Sequence, residues 1–198
     1  MKILLIGATG TIGSAVFNDL KNDHQVFPAS RNSNTLPLDI TDRNSLMKAF
    51  QSLPKLDAVV NISGHALWKS FGELTEEDYY VGIKSKLMGQ INLTHIAQDF
   101  LNPGGSVTLT TGILADFFEP KSTPLAIVNG GLHSFVMATA PVLKEGKRIN
   151  VVAPGALEGT IEKGKLFAGH IPVSFQSVID AYNSSIFGNE TGKIYKIY

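Results

Sequence analysis

Residues 1–13 read MKILLIGATGTIG, an apolar run that passes directly into a glycine-rich loop. Lys2 to Ile6 has the length and character of a buried β-strand, and the periodic stretch from about residue 12 to 22 reads as a helix. The loop between them therefore joins a strand to a helix, and each glycine has a mechanical use there. Gly7 permits the tight turn off the strand, Gly10 lets backbone approach a pyrophosphate, and Gly13 lets the helix pack close, while the helix N-terminus presents free N–H groups to an anion. A glycine pattern alone is weak, but this strand–loop–helix context makes Gly7, Thr9, Gly10, Thr11 and Ile12 candidate contacts to a dinucleotide phosphate rather than an ordinary turn. A basic and then apolar opening is also what a secretory signal has. Here the apolar run is too short and leads into glycines instead of a cleavage site, which predicts a first strand and a cytoplasmic protein.

Outward from that loop, short apolar runs alternate with stretches of helical period. Strands are expected at Lys2 to Ile6, Gln25 to Ala29, Thr35 to Leu38, Asp57 to Asn61, Ser106 to Thr110, Arg148 to Ala153 and Lys193 to Ile197. Helices are expected at about 12 to 22, 42 to 52, 75 to 101, 123 to 144 and 174 to 187. The alternation predicts an α/β fold, a doubly wound, parallel, seven-stranded Rossmann-type sheet with helices on both faces. The 198 residues, 43% of them hydrophobic, suit a single domain spanning 1–198. The longest helix opens on TEED, where Thr75 can cap and Asp78 can reach back. Ala156 to Val173, with glycines, charges and few strong signals, reads as the loosest loop.

Seventeen basic and seventeen acidic side chains cancel, so the charge balance favours neither nucleic acid nor an anionic membrane and points to a small-molecule ligand. Cysteine is absent, which excludes disulfides and thiolate metal sites, and no apolar run in the sequence reaches membrane-spanning length. His24, His95 and His170 form no ligand spacing with carboxylates, so no metal site is expected. The expected second strand ends in ASRN, where an NAD-preferring site would normally hold a carboxylate for the ribose hydroxyls. Arg31 stands there instead, and its guanidinium can grip a 2'-phosphate in a fork, which favours NADP over NAD.

These stretches together resemble the short-chain dehydrogenase/reductase family over nearly the whole chain. GATGTIG is similar to its glycine loop, LDITD around Asp39 and Ile40 to its adenine-contacting segment, and NISG with Asn61, Ser63 and Gly64 to its NNAG motif. INVVAPG is similar to the segment that places Pro154 and Gly155 beside the nicotinamide, and ETGKIY to the approach to the last strand. The resemblance implies a cofactor-dependent carbonyl reductase with a catalytic tyrosine, a lysine four residues on, a serine after the fifth strand and an asparagine in the preceding helix. This chain departs at each position. Leu125 falls at the tyrosine, Asn129 at the lysine, Thr111 or Gly112 at the serine and Lys86 at the asparagine. Leucine cannot donate a proton, whereas Thr111 keeps a hydroxyl and Lys86 is an ionisable group.

The helix that carries Leu125 and Asn129 begins STPLAIVNGG, with Thr123 placed to cap it, Pro124 in its first turn, and Gly130 and Gly131 in its interior. Paired glycines there imply a close approach, and the family geometry implies both a cofactor and a second subunit at this helix. Gly82 and Gly89 flank Lys86 on one face and are expected to leave room for a ligand. Tyr80 to Lys84 forms a Tyr-xxx-Lys string, but in the wrong helix, and reads as a solvated face. His65 reads as exposed loop and His133 as packed in an apolar stripe. Two functions remain open: an NADP(H) oxidoreductase on a small carbonyl or alcohol, using Thr111, Lys86 or a water, and Asn129, or a cofactor-binding sensor or scaffold without chemistry. Either is expected to be a homodimer or homotetramer through the two longest helices.

Overall fold

The computed structural model describes residues 1–159, 167 and 169–198; of the loose loop expected at 156–173, residues 160–166 and 168 lie outside the described residues. Strands β1 (Lys2–Ile6), β2 (Gln25–Ala29), β3 (Leu56–Asn61), β4 (Leu101–Thr110), β5 (Arg148–Pro154) and β6 (Ile194–Ile197) form one sheet in the order β2-β1-β3-β4-β5-β6. Every pairing is parallel. Parallel strands need helical crossovers, and these cover both faces. The alternation of side chains along β1 shows it directly. Ile3 and Leu5 enter a core with Val16, Leu20, Val178 and Tyr182, whereas Leu4 and Ile6 enter the opposite core with Leu46, Leu93, Leu132 and Val136. Each fully buried leucine or isoleucine contributes about 1.5–3 kcal/mol to that burial.

Among the described residues six strands form, not seven, and the reason lies in residues 35–38. Pro37 has no N–H to donate, and the N–H groups of Thr35 and Leu36 turn to the hydroxyl of Ser33, at 3.3 and 3.1 Å. A lone bridge from Pro37 to Ser30 is what remains of the expected strand. Strand β2 therefore lies at the sheet edge, which suits Pro28 within it.

The helices are α1 (Thr11–Leu20), α2 (Arg43–Gln51), α3 (Glu76–Gly82), α4 (Gly89–Phe100), α5 (Thr123–Thr139) and α6 (Phe175–Phe187). Thr75 and Asp78 form the expected capping box at the head of α3. The single helix expected over 75–101 is instead divided by a π-helical segment, Ile83–Met88, and ends where β4 begins at Leu101. Gly82 and Gly89 bracket that segment and leave no room for a ligand. A Cβ at Gly82 would meet the Ala66 side chain at 2.8 Å, and one at Gly89 would meet Ile40 at 3.0 Å. The glycines draw the helix onto two loops and set the orientation of Lys86 between them.

Helix α5 is not capped by Thr123. Ser122 precedes it in helical conformation, and its hydroxyl accepts the Glu119 N–H at 3.1 Å; Pro124 does sit in the first turn. The expected run to residue 144 stops at Thr139 and tightens into a 3₁₀ turn, Ala140–Val142, around Pro141. Contrary to the expectation that no apolar run reaches membrane-spanning length, Thr123–Val142 is long and apolar enough by composition, and a third of its most apolar window is buried. Val128, Leu132 and Val136 are nonetheless buried, as a core helix requires. Gly131 lies against Leu87 of the same chain, whereas a Cβ at Gly130 would meet nothing within 4 Å.

Gly13 shows how tightly the first turn is built. A Cβ there would stand 2.0 Å from the carbonyl oxygen of Gly7. Gly13→Ala is expected to destabilise the fold by about 1–3 kcal/mol, read as a lower urea midpoint at unchanged slope; an unchanged midpoint would contradict this packing.

Candidate functional site

The chain leaves β1 to one side and β3 to the other, so the C-terminal ends of those strands border a crevice at the switch point of the sheet. A cavity of about 290 Å³ fills it. Three walls enclose it: Gly7, Thr9 and Gly10 of the glycine loop, Ser30 and Arg31 with Leu38–Thr41 after β2, and Ile62–His65 after β3. The left-handed φ of Gly7, 87°, makes the turn, and a Cβ there would meet the backbone of Ile62 at 3.0 Å. Helix α1 begins behind the loop with Gly10 as N-cap and no side chain on its first N–H groups, so Thr11 and Ile12 offer backbone donors toward the cavity end.

Arg31 is exposed at the cavity rim. Asp39 lines the same wall. Burial opposes its ionisation, but the N–H and hydroxyl of Thr41, at 2.8 and 2.7 Å, together with the Arg31 charge, hold its carboxyl below the ordinary range. Asn61 is fully buried and does not line the cavity. It shapes the loop, donating to the Ser63 carbonyl and accepting from the Ser63 hydroxyl, at 2.8 and 2.7 Å. Its own carbonyl accepts from Thr110 Oγ1, which also pairs with Tyr182 OH; burial pushes that phenol's pKa up. Gln90 braces the end of β4 by bonding both the N–H and the C=O of Thr110 at 3.0 Å.

The cavity wall continues into the second half of the site through Lys86. A Cβ at Gly64 would meet the Lys86 Cα and side chain at 3.1–3.2 Å, and the Lys86 ammonium donates to the Thr111 carbonyl at 3.5 Å. The residue as a whole is half-buried, but its ammonium end is enclosed, and desolvation pulls its pKa down to about 8. Thr111 follows β4 directly and is buried; its N–H bonds the carbonyl of Val152 in β5. Pro154 and Gly155 lie at the end of β5 on this side, not in the cavity wall. The Pro154 carbonyl faces Gly112, and Gly155 packs on Tyr198.

Leu125, Asn129 and His133 share one face of α5 at intervals of one turn. Leu125 packs against the apolar cluster of Ile113, Leu114 and Phe167. Asn129 is 2% exposed, and its Oδ1 has no hydrogen-bond partner among the described residues, an expensive state that a ligand donor would relieve. His133, read from the sequence as packed in an apolar stripe, is buried as expected, and it also reaches a partner that the sequence did not indicate. Its Nε2 lies 2.9 Å from Thr111 Oγ1. Burial lowers its pKa, against the pull of the Asp116 carboxylate and with the help of the Lys196 charge. The signal was the four-residue spacing from Asn129, which the apolar neighbours masked. Tyr80 and Lys84, by contrast, stack on the exposed helix face with the ammonium 5.8 Å from the ring centre. Among the described residues no group of three or more His, Asp or Glu side chains comes together.

The family described as enoyl-(acyl carrier protein) reductase matches residues 12–178. General stress protein 39 of Bacillus subtilis (strain 168) is 32% identical over 112 residues, which are 56% of this chain and 39% of that protein's own length. The chain thus spans less than half of that curated relative. Protein lin1944 from Listeria innocua superposes with a TM-score of 0.96 at 41% identity, covering 100% of both chains. A small-chain dehydrogenase solved in complex with NADPH superposes at 0.87 with 21% identity, covering 100% of this chain and 96% of its own, a likeness in fold alone.

Proposed function

The chain belongs to the short-chain dehydrogenase/reductase family, and on that premise we propose that it binds NADP(H) and passes a hydride between that cofactor and a small carbonyl or alcohol. The observation that carries this reading is the continuous path from a glycine-lined cavity with Arg31 at its rim, through Gly64 and Lys86, to the backbone carbonyl of Thr111, the residue whose hydroxyl stands at the family's serine position. Three features fit the cofactor: the Gly7–Gly10 cradle, the open N-terminus of α1, and the unpartnered Asn129 Oδ1. Gly7, Thr9, Gly10, Thr11 and Ile12 would hold the phosphates, Arg31 the 2'-phosphate, Asp39 and Ile40 the adenine, and Ser63 and Gly64 the middle of the molecule. Asn129 would take a ribose hydroxyl, with Pro154 and Gly155 beside the nicotinamide. NADP(H), when bound, supplies or accepts the hydride.

This chain's own residues then do two things. The Thr111 hydroxyl orients the substrate oxygen, and the Lys86 ammonium places a positive charge beside it, in a setting where desolvation strengthens electrostatics. The apolar cluster around Leu125 keeps water from the reacting carbon. A small-chain dehydrogenase of the same fold was solved in complex with NADPH, which is compatible with this cofactor, and Arg31 is the residue that favours NADP over NAD. Titration is expected to show NADPH binding at least about tenfold more tightly than NADH, and Arg31→Ala to bring the two within about threefold. Equal affinities in the unmodified protein would reject Arg31 as the discriminator. Turnover is tested by following NADPH absorbance with a panel of aldehydes, ketones and secondary alcohols.

A second reading is favoured by one observation: the side chain at the family's tyrosine position, Leu125, is packed in an apolar cluster and carries no proton. On that reading the protein is an inactive NADP(H)-binding sensor or scaffold, the panel gives no turnover, and Leu125→Tyr with Asn129→Lys introduces weak activity. In either case a second copy of the chain fits the outer face of α5, where Ile127 and Met137 are 46% and 53% exposed and Gly130 leaves open space. Light scattering is expected to give a dimer or tetramer; a monomer would reject this. We assign the protein to the cytoplasm.

A further inference from the structure

The hydride-transfer reading leaves the proton without a route, because Leu125 carries none and the Lys86 ammonium points at the Thr111 carbonyl, an atom that cannot exchange a proton. The Thr111 hydroxyl, on the other side of the same residue, lies 2.9 Å from His133 Nε2, with both side chains buried at the C-terminal end of β4. We propose that Thr111 and His133 form a proton relay that replaces a tyrosine acid. In alcohol oxidation the substrate hydroxyl gives its proton to Thr111 Oγ1 while the Thr111 proton moves to His133 Nε2, and carbonyl reduction runs both transfers backwards. The substrate carbon would lose its hydride to a bound NADP+, so the alcohol would be oxidised by two electrons while one proton leaves to solvent from His133. Thr111 touches the substrate and His133 acts through it.

The surroundings of the imidazole fit a base. On its own helix it faces Leu125 and Asn129, neither of which titrates. Asp116, after β4, favours the charged ring; Lys196, in β6, opposes it and is itself paired to Asp116 at 2.6 Å. Tyr198 also bonds Asp116, and Lys86 lies across Thr111. Burial is the largest influence and holds His133 below its ordinary value, which favours the neutral ring that can accept a proton. The sign follows: alcohol oxidation rises with pH and levels off above the His133 pKa, whereas carbonyl reduction is flat below that pKa and falls as pH passes through it.

Two measurements on the unmodified protein test the relay: an NMR titration of the His133 ring, with and without NADP(H), and the pH profile of secondary-alcohol oxidation. The NMR pKa is expected below the ordinary histidine value, to move in Thr111→Val, and to coincide with the kinetic break. His133→Gln, which can still hydrogen-bond Thr111, is expected to lose about 10²- to 10⁴-fold in turnover, keep NADPH affinity within about twofold, and lose the break. Thr111→Ser is expected to recover most of what Thr111→Val loses. Wild-type turnover and profile in His133→Gln would overturn the relay, as would a break near pH 8 that disappears in Lys86→Met, or a His133 pKa that ignores Thr111→Val; in each case the hydride-transfer reading would stand. No turnover of any alcohol or carbonyl by the unmodified protein would reject that reading and the relay together. If His133→Gln does not fold, the agreement or disagreement of the two wild-type pKa values decides.

Discussion

Gly10→Val is expected to weaken NADPH binding by at least about a hundredfold, roughly 2.7 kcal/mol, while changing the unfolding free energy by less than about 1 kcal/mol. The backbone at Gly10 is extended, with φ −79° and ψ 173°, a region that β-branched residues adopt readily. The nearest atom a Cβ would meet is the Gly7 carbonyl oxygen at 3.4 Å, so the fold admits the new side chain. The added methyl groups project into the cavity wall at the head of α1, where a pyrophosphate would take the free N–H groups. Gly7 would be a poorer probe, because its positive φ and the Ile62 backbone at 3.0 Å make any side chain a folding problem. Gly10 separates binding from folding. Circular dichroism and urea unfolding check the fold, and calorimetric titration checks the affinity. Undiminished NADPH binding by a folded variant would mean that GATGTIG is only a strand-to-helix turn.

The same loop explains why so much of the fold was legible in the amino-acid order. Glycines, a strand run and a helical period in sequence describe local geometry, and the βαβ alternation then leaves few topologies. What was not legible depends on partners distant along the chain. Thr35 to Leu38 has strand-like side chains, but a single hydroxyl, that of Ser33, captures two of its N–H groups, and Pro37 supplies none. The π-helical segment is bracketed by Gly82 and Gly89, which lie close against Ala66 and Ile40, contacts that no periodicity encodes. At the candidate site, the glycine loop was readable because its geometry is local backbone. The contact between His133 and Thr111 was not: His133 sits among Leu132, Phe135 and Val136 in an apolar stripe, and only the end of β4 brings the Thr111 hydroxyl to it. Asn129 was correctly placed on that face, but its missing hydrogen bond is a property of packing.

Lys86→Met is expected to make the protein more stable at pH 7, by up to about 3 kcal/mol, and to lower turnover far more than NADPH affinity. Enclosure of the ammonium moves its pKa from 10.5 to about 8 in the folded protein. Between those values the unfolded chain binds more protons than the folded one, so stability rises with pH across that window; below pH 8 both forms are charged and the full desolvation cost persists. At about 1.4 kcal/mol for each pKa unit the shift corresponds to about 3.4 kcal/mol, and solvent screening of a residue that is only half-buried brings the cost to at most about 3 kcal/mol. The compensating bond to the Thr111 carbonyl is long, at 3.5 Å, and offsets little of it. Methionine fills a similar volume without charge, so the variant should lack the rise in stability above pH 8 that the unmodified protein shows. Urea unfolding at pH 7 and at about pH 10 reads the difference. A flat profile in the unmodified protein, or a Lys86→Met variant less stable at pH 7, would show that the ammonium is solvated and remove the electrostatic ground for placing it beside the substrate oxygen. If the climb is found, the ammonium is enclosed in the folded protein, which is the electrostatic ground on which its place beside a substrate oxygen is proposed.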